Sequence, residues 1–291
     1  MDAVIVYKTK LPATKRITSM ETPLRLAILT PSFNQGEYIR ETICSIAQQD
    51  YSHKEHIVID GGSTDETISI LKEYPNVSWS TQKDDGQADA LQKGFQRTAA
   101  DVIGWINSDD FYEPQVFSSV MREFEDPTVQ WVIGNLTYFY DQSGERVPDS
   151  SPAVSLHDLL RDPDRVRQQP AFFRRALLQE AGGWDKHFQM TMDLDLWIRC
   201  AKISRPKMVD KHWACFRIHA KQKTSRRNIH RQAREVLTIL EREHAPGWVT
   251  LRFRASRGWL LLKMSLKQAL IHLGLLDARF AVRPLRISKD R

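Results

Sequence analysis

Between residues 25 and 106, short apolar runs alternate with stretches of helical spacing, and this alternation constrains the fold more than any other feature. Residues 25–30 (RLAILT) form an apolar run that Pro31 is expected to end, as a buried strand stopped by proline. Residues 36–49 then place Tyr38, Ile39, Ile43 and Ile46 at helical spacing. His56 to Asp60 reads as a second strand, followed by GGSTDET, where Ser63 or Thr64 can cap a helix that reaches about Tyr74. Residues 77–80 predict a third strand, 89–98 a helix and 102–106 a fourth strand. Strands that alternate with helices at this spacing imply a mostly parallel sheet covered by helices.

In such sheets the binding groups lie beyond the carboxyl ends of the strands. Three polar groups therefore fall on one rim: Pro31 to Asn34, Asp60 to Gly62, and Asn107 to Asp110. The last belongs to GWINSDDF, residues 104–111, where a buried strand runs straight into two adjacent carboxylates. Burying either carboxylate costs several kcal/mol unless it is paired. A solvated turn explains the pair on its own. Its company on the rim favours a divalent cation instead.

The second half is less regular. Residues 131–134 and 137–140 look like two strands around a Gly-Asn turn, and 141–169, rich in Asp, Ser, Pro and Arg, reads as a flexible loop. Phe172-Phe173 precedes a helix from about Arg175 to Ala181, ended by Gly182-Gly183. A helix starts at Asp193, with acidic residues near its positive end. Residues 206–218 predict a strand pair, and 228–243 a polar helix.

With 291 residues, 41% of them hydrophobic, the chain can build a real core. Cys44, Cys200 and Cys215 are far apart and show no CxxC spacing, against a disulfide framework or a zinc site. The opening residues have no apolar core of signal-peptide length, and no run of about 18 apolar residues occurs. The expected location is the cytoplasm, with peripheral contact at the inner face of the membrane as an extension of that reading.

The net charge of +6 is uneven: residues 221–291 hold 17 basic and 5 acidic residues, a balance of +12, and leave the remainder at −6. A basic tail on an acidic body suggests an anionic partner. Residues 247–276 mix Trp259, Leu260, Leu262, Leu266, Leu270 and Leu273 with Arg254, Arg257, Lys263 and Lys267. This reads as a basic amphipathic helix that lies on an anionic bilayer, packs on the body of the protein, or joins a homo-oligomer. No nucleic-acid-binding motif is present.

TPSFNQGEYIRETICSIAQQDY, HIVIDGGSTDETISIL and GWINSDDFY, in that order, resemble an inverting family 2 glycosyltransferase of bacterial polysaccharide-biosynthesis type. DDGQADALQKGF, QQPAFFRRALLQEAGGWDKHF, MDLDLWIRC and FRIHAKQKTS extend the likeness over about residues 24–225. The resemblance implies a GT-A fold, an α/β and Rossmann-like architecture with a mostly parallel central sheet. It implies a catalytic domain over 24–225, which leaves an N-terminal extension over 1–23 and the basic, amphipathic helical region over 226–291. The implied reaction moves a sugar from a nucleotide-sugar donor, UDP-linked by expectation, to a hydroxyl of a glycan or lipid-linked acceptor, with Mn²⁺ or Mg²⁺.

Carried over position by position, Pro31, Phe33 and Asn34 would line the nucleotide pocket. Asp60 would bind the base or ribose, and Asp84 and Asp89 would lie near the nucleotide. Asn107 and Ser108 stand where the family's Asp-x-Asp motif begins, and Asn107 replaces its first carboxylate. Asp109 matches the last and would bind the metal with His219. Asp193 matches the general base. Met192 stands before it where many members have Glu, which leaves Asp195 open as the alternative, with Asp193 favoured. Gln169, Trp184 and Asp195 are acceptor-side candidates. Trp105 and Trp197 read as core.

Two rival classes remain. A sugar-phosphate nucleotidyltransferase would want a Gly-rich basic phosphate loop after the first strand, which PSFNQGEY lacks. A non-catalytic module that binds an anionic partner through the basic tail would not depend on Asp109 or Asp193.

Overall fold

The computed structural model describes residues 22–223, 228–256 and 258. Residues 1–21 of the expected 1–23 extension and most of the basic tail lie outside the described residues.

Strand β1 (Leu26–Ser32) is fully buried and sits at the centre of the sheet. Helix α1 (Ile39–Ala47) leads to β2 (Lys54–Asp60), and α2 (Thr67–Lys72) to β3 (Ser78–Thr81). Helix α3 (Gln87–Gln96) then leads to β4 (Val102–Trp105). The order β3-β2-β1-β4 is parallel throughout, so these carboxyl ends share one rim, as expected. The register is direct: Ser32 lies opposite Asp60, and Asp60 opposite Thr81.

Pro31 does not end β1. It stays in register with Ile59, because past Leu29 the strand is paired only with β2. Its carbonyl accepts a hydrogen bond from Ser108 Oγ (3.1 Å), so the missing N–H breaks no ladder bond. Helix α2 is shorter than expected, and neither Ser63 nor Thr64 caps it. Asp65 Oδ1 accepts from Thr67 N (3.0 Å), while Ser63 is engaged with Asp60.

Beyond β4 the sheet becomes mixed. The remaining strands are β5 (Phe111–Tyr112), β6 (Trp131–Tyr140), β7 (Glu145–Asp149), β8 (Ala171–Arg174) and β9 (Lys207–Ile218). The order continues β4-β8-β6-β9-β5, with β7 on β6; β6 and β9 run parallel and the other pairs antiparallel. Helix α4 (Phe117–Glu123) follows β5. Helix α5 (Leu156–Arg161), α6 (Arg175–Glu180), α7 (Met192–Ile203) and α8 (Ile229–Arg242) complete the described helices with assigned ends.

Three expectations for this half change. The two strands around Gly134-Asn135 are one ten-residue strand, because Gly134 sits in a bulge where the register shifts against β9. Residues 206–218 are likewise one strand. The loop over 141–169 is ordered: β7 pairs with β6, and Ser155 caps α5 by accepting from Asp158 N (3.2 Å).

Gly134 is where β6 meets Trp213. A Cβ there would lie 2.4 Å from the indole and 2.9 Å from the Lys211 carbonyl. The Trp213 ring is fully buried and has nowhere to retreat. Gly134→Ala is expected to cost about 1–3 kcal/mol through overpacking. Urea unfolding measures this, and an unchanged midpoint would refute the close packing.

The strands alternate their side chains between two layers. Ala27, Leu29, Ile57 and Ile59 face the cluster that contains α3, α6, α7 and α8. Leu26 and Ile28 face the cluster with α4, and Val58 the one with α1 and α2. Trp105, Phe173 and Trp131 stack across β4, β8 and β6 with centroids 5.7 and 5.4 Å apart, and Trp197 meets Trp131 edge-on at 5.5 Å. Trp105 and Trp197 are core, as the sequence suggests.

Of residues 247–276, only 247–256 and 258 are described, and 247–256 are helical. Val249 and Phe253 pack into the core with α8, while Trp248 and Leu251 are exposed. Among the described residues, no helix is long and apolar enough to cross a membrane.

Candidate functional site

The segment that follows the carboxyl end of β4, together with β6, β9 and the first turn of α7, borders an open cleft of about 240 Å³. Asn107, Asp109, Gln169 and Asp193 line it. Four of the residues singled out in the sequence are thus brought to one place from three separate parts of the chain.

The two carboxylates of Asp109-Asp110 have opposite fates. Asp110 is fully buried. Its Oδ1 accepts from Arg217 N (2.9 Å), and its Oδ2 from Asn107 Nδ2 (3.1 Å) and Gln169 Nε2 (2.9 Å). Burial and the adjacent Asp109 push its carboxyl well above the usual carboxylate range, while these donors pull the other way. Asp110 is the structural half of the pair. Asp109 opens onto the cleft, and its Oδ2 meets His219 Nε2 at 3.0 Å. The His219 ring packs against Tyr38, centroids 4.4 Å apart, and its Nδ1 has no hydrogen-bond partner among the described residues.

Among the described residues, no three His, Cys, Asp or Glu side chains converge as a self-sufficient metal site. Asp109 and His219 nevertheless fit a divalent cation as a pair. Asp109 Oδ2 and His219 Nε2 are within hydrogen-bonding distance of each other and would offer a cation one carboxylate oxygen and one imidazole nitrogen. A carboxylate and an imidazole suit Mg²⁺ or Mn²⁺, and the imidazole favours Mn²⁺.

Arg217 fastens this corner. Its side chain is 5% exposed and is paired with Glu41 of α1 and with Asp141 (2.5 Å). Its Nε donates to the Asp109 carbonyl (2.9 Å). The Tyr38, Phe111 and Phe139 rings lie 4.9 to 5.3 Å from the guanidinium.

Asp193, in the first turn of α7, lines the same cleft. Its Oδ1 accepts from Leu194 N (2.9 Å). Burial raises its carboxyl above the ordinary aspartate value and Glu235 adds to this, while the Leu194 amide and Lys223 oppose it. Two residues on, Asp195 faces away from the cleft. It is fully buried and paired with Arg199 (2.5 Å) and Arg242 (2.7 Å). Residues two apart point to different faces of a helix, so Asp195 is a structural anchor and not an acceptor-side group.

Trp184 also departs from expectation. It is 4% exposed and meets Trp105 and Phe95 edge-on, which leaves no face for a sugar. Gly182 and Gly183, both with positive φ, turn the chain inward just before it. Pro31 and Ser108 are buried and bonded to each other, so they support the rim rather than line it. Gln169 is buried and holds Asp110 while it borders the cleft. Asn107 is committed at both ends: its Nδ2 reaches Asp110 and Gln168, and its Oδ1 accepts from Gln87 Nε2.

The remaining nucleotide candidates lie along the rim beyond the lining of this cleft. Phe33 is 59% exposed. Asn34 adopts φ 53° and accepts from Thr64 N (2.9 Å). Asp60 is buried and accepts from Gly62 N, Ser63 N, Ser63 Oγ and Thr81 Oγ1, so it shapes its turn with every donor in reach. Asp84, raised mainly by burial, lies against Gly61 and accepts from Gly86 N (2.9 Å). Asp89 pairs with Lys93 (2.7 Å), which lowers its carboxyl.

Sequence reasoning missed Lys223, Gln87 and Gln189, which border the same cleft. Lys223 Nζ donates to the Gln189 carbonyl (2.5 Å) and to Gln87 Oε1 (3.3 Å). Its place four residues after His219 was the available signal.

The family described as Glycosyl transferase family 2 matches residues 27–192. An uncharacterized glycosyltransferase of Mycobacterium tuberculosis (strain ATCC 25618 / H37Rv) is 28% identical over 189 residues, 62% of this chain and 70% of that protein. Escherichia coli chondroitin synthase is 32% identical over 200 residues, 67% of this chain but 29% of the synthase. Residues 1–349 of S. aureus TarS, solved in complex with UDP-GlcNAc, share the fold with a TM-score of 0.62 at 16% identity, covering 75% of this chain and 65% of that one. The mannosyltransferase PcManGT from Pyrobaculum calidifontis, solved in complex with GDP-Man and Mn²⁺, gives 0.58 at 18% identity, covering 89% and 78%. This chain spans 39% of the longer TarS chain.

Proposed function

The chain belongs to glycosyl transferase family 2, and from that membership we propose that it moves a sugar from a nucleotide-sugar donor, UDP-linked, to a hydroxyl of a glycan or lipid-linked acceptor in the building of a bacterial surface polysaccharide. The observation that carries this reading is the pairing, across one cleft, of Asp109–His219 with a carboxyl of raised proton affinity, Asp193. The UDP-GlcNAc complex of TarS supports the donor class, and the Mn²⁺ complex of PcManGT supports a metal. The likeness to chondroitin synthase supports a polysaccharide product.

In this mechanism Asp109 and His219 would hold Mn²⁺ or Mg²⁺. When bound, the cation offsets the charge that develops on the departing diphosphate. Arg217 keeps Asp109 in place through its main-chain carbonyl. Asp193 accepts the proton of the acceptor hydroxyl, a task suited to a carboxylate whose proton affinity burial has raised. Attack from the Asp193 side, opposite the leaving group, inverts the anomeric centre. The catalytic unit spans residues 24–225, with α8 behind it.

Calorimetric titration of UDP, GDP and dTDP, with and without Mn²⁺, tests the donor side. One nucleotide is expected to bind in a metal-dependent way, and Asp109→Ala to abolish that dependence. Folded protein that binds none of the three, with or without Mn²⁺, would overturn the reading and bring forward a non-catalytic module. A GDP preference would move the donor to a GDP-sugar.

A further inference from the structure

Helix α8 lies beyond the residues matched to the family, yet it grips α7 on both sides of Asp193. On the N-terminal side, Glu235 Oε2 accepts from Met190 N (2.7 Å) and Thr191 Oγ1 (3.2 Å). Thr191 is the N-cap of α7, but its hydroxyl makes no cap of its own. The first turn therefore takes its anchor from a carboxylate on another helix, at the end where negative charge is favoured. On the C-terminal side, Arg242, two turns further along α8, pairs with buried Asp195 (2.7 Å). Val236, Ile239 and Leu240 fill the core between the two contacts. Asp193 sits between these two fixed points.

Glu235 is itself held. Its side chain is 12% exposed, and Arg231 one turn earlier binds its Oε1 (3.0 Å). The charged groups that face Asp193 are Glu235 from α8 and Lys223 from the segment after β9, with Asp109 and Arg167 also bordering the cleft. Glu235 is thus the carboxylate that α8 sets against the two residues just before Met192 and Asp193.

We propose that Glu235 is a positioning residue for the reaction: it fixes the first turn of α7 by capping it from α8, and it sets a negative charge beside the turn that carries Asp193. The proposal rests on the reading of Asp193 as the base. Two effects separate in two variants. Glu235→Gln keeps an oxygen for the Met190 amide but removes the charge. Glu235→Ala removes both.

The test is a carboxyl ¹³C NMR titration of the aspartates, with the Asp193 resonance assigned by its loss in Asp193→Asn. Removal of a nearby negative charge makes protonation less favourable, so the Asp193 midpoint is expected to fall in Glu235→Gln. In Glu235→Ala, amide exchange in the first turn of α7 is expected to accelerate by roughly tenfold or more. An unmoved Asp193 midpoint in folded Glu235→Gln overturns the electrostatic half. Unchanged exchange in Glu235→Ala overturns the anchoring half. The premise is checked separately through the pH profile of UDP-GlcNAc and GDP-mannose hydrolysis. If Asp193→Asn retains wild-type hydrolysis with an unchanged acid limb, the assignment of the base fails, whatever the titration shows.

Discussion

Asp193→Asn is expected to lower the rate of sugar transfer by about 10²–10⁴-fold, the usual range for loss of a general base, while UDP affinity stays within about twofold. Asparagine fills nearly the same space and can still accept from the Leu194 amide, but it cannot take a proton. Release of nucleoside diphosphate from the donor measures the rate, and calorimetry the affinity. A variant that keeps more than about a tenth of the activity would remove Asp193 from the mechanism. The pH dependence follows from the raised proton affinity. A base works when deprotonated, so activity rises with pH through the folded-state pKa of Asp193, and the acid limb lies above the ordinary aspartate range. The stability linkage has the opposite sense. A carboxyl raised by folding binds its proton more tightly in the native state. Its contribution is therefore present below the unfolded pKa and is lost as pH rises through the folded one. Asp193→Asn should leave the protein at least as stable as wild type at neutral pH, which separates a catalytic loss from a folding defect.

Arg217→Met is expected to be the most damaging single change to stability near the site, at about 3 kcal/mol or more. Methionine can occupy the space among Tyr38, Phe111 and Phe139 but leaves Glu41 and Asp141 facing each other without their cation. It also frees the Asp109 carbonyl. Glu41 is half exposed and can turn to solvent, which keeps the expected loss at the lower end of the range for a broken buried pair. Arg217→Lys keeps the charge but cannot span both carboxylates and the carbonyl in one plane. It should fall between wild type and Met in a urea melt. If Met unfolds at the wild-type midpoint, the clamp contributes nothing and the rings alone hold β9 at the rim.

The first half of the fold was legible because its signals are local. Leu26–Leu29 and Ile57–Ile59 are short apolar runs, and the intervening segments carry helical periodicity, so strand, helix and rim order follow by elementary rules. The misreadings share one cause. Gly134-Asn135 has the composition of a turn, and only the Trp213 ring packed against Gly134 shows that the chain continues as a bulged strand. Residues 145–149 are polar and look like loop until β6 offers them an edge.

At the site, the family's motif order pointed to Asp109, Asp193 and His219, and the structure brings Asp109 and Asp193 to one cleft with His219 bonded to Asp109. Roles that depend on direction could not be read in the same way. Trp184 follows two glycines, a pattern that suits an exposed loop, but positive φ at both turns it into the core. Asp193 and Asp195 are equivalent as letters, and only the placement of Arg199 and Arg242 makes one an anchor and leaves the other at the cleft.

The sequence by itself determined the alternation of elements, the rim on which the polar groups collect and the chemical types gathered there. These depend on neighbours within a turn or a strand length. Tertiary structure alone decided which carboxylate is buried, which is paired and which is free to act, because those outcomes depend on charged groups and amides more than forty residues away: Arg217 for Asp109-Asp110, and Glu235 and Arg242 for the turn that carries Asp193. Local composition sets what a residue can do. Desolvation and distant partners set which of those things it does.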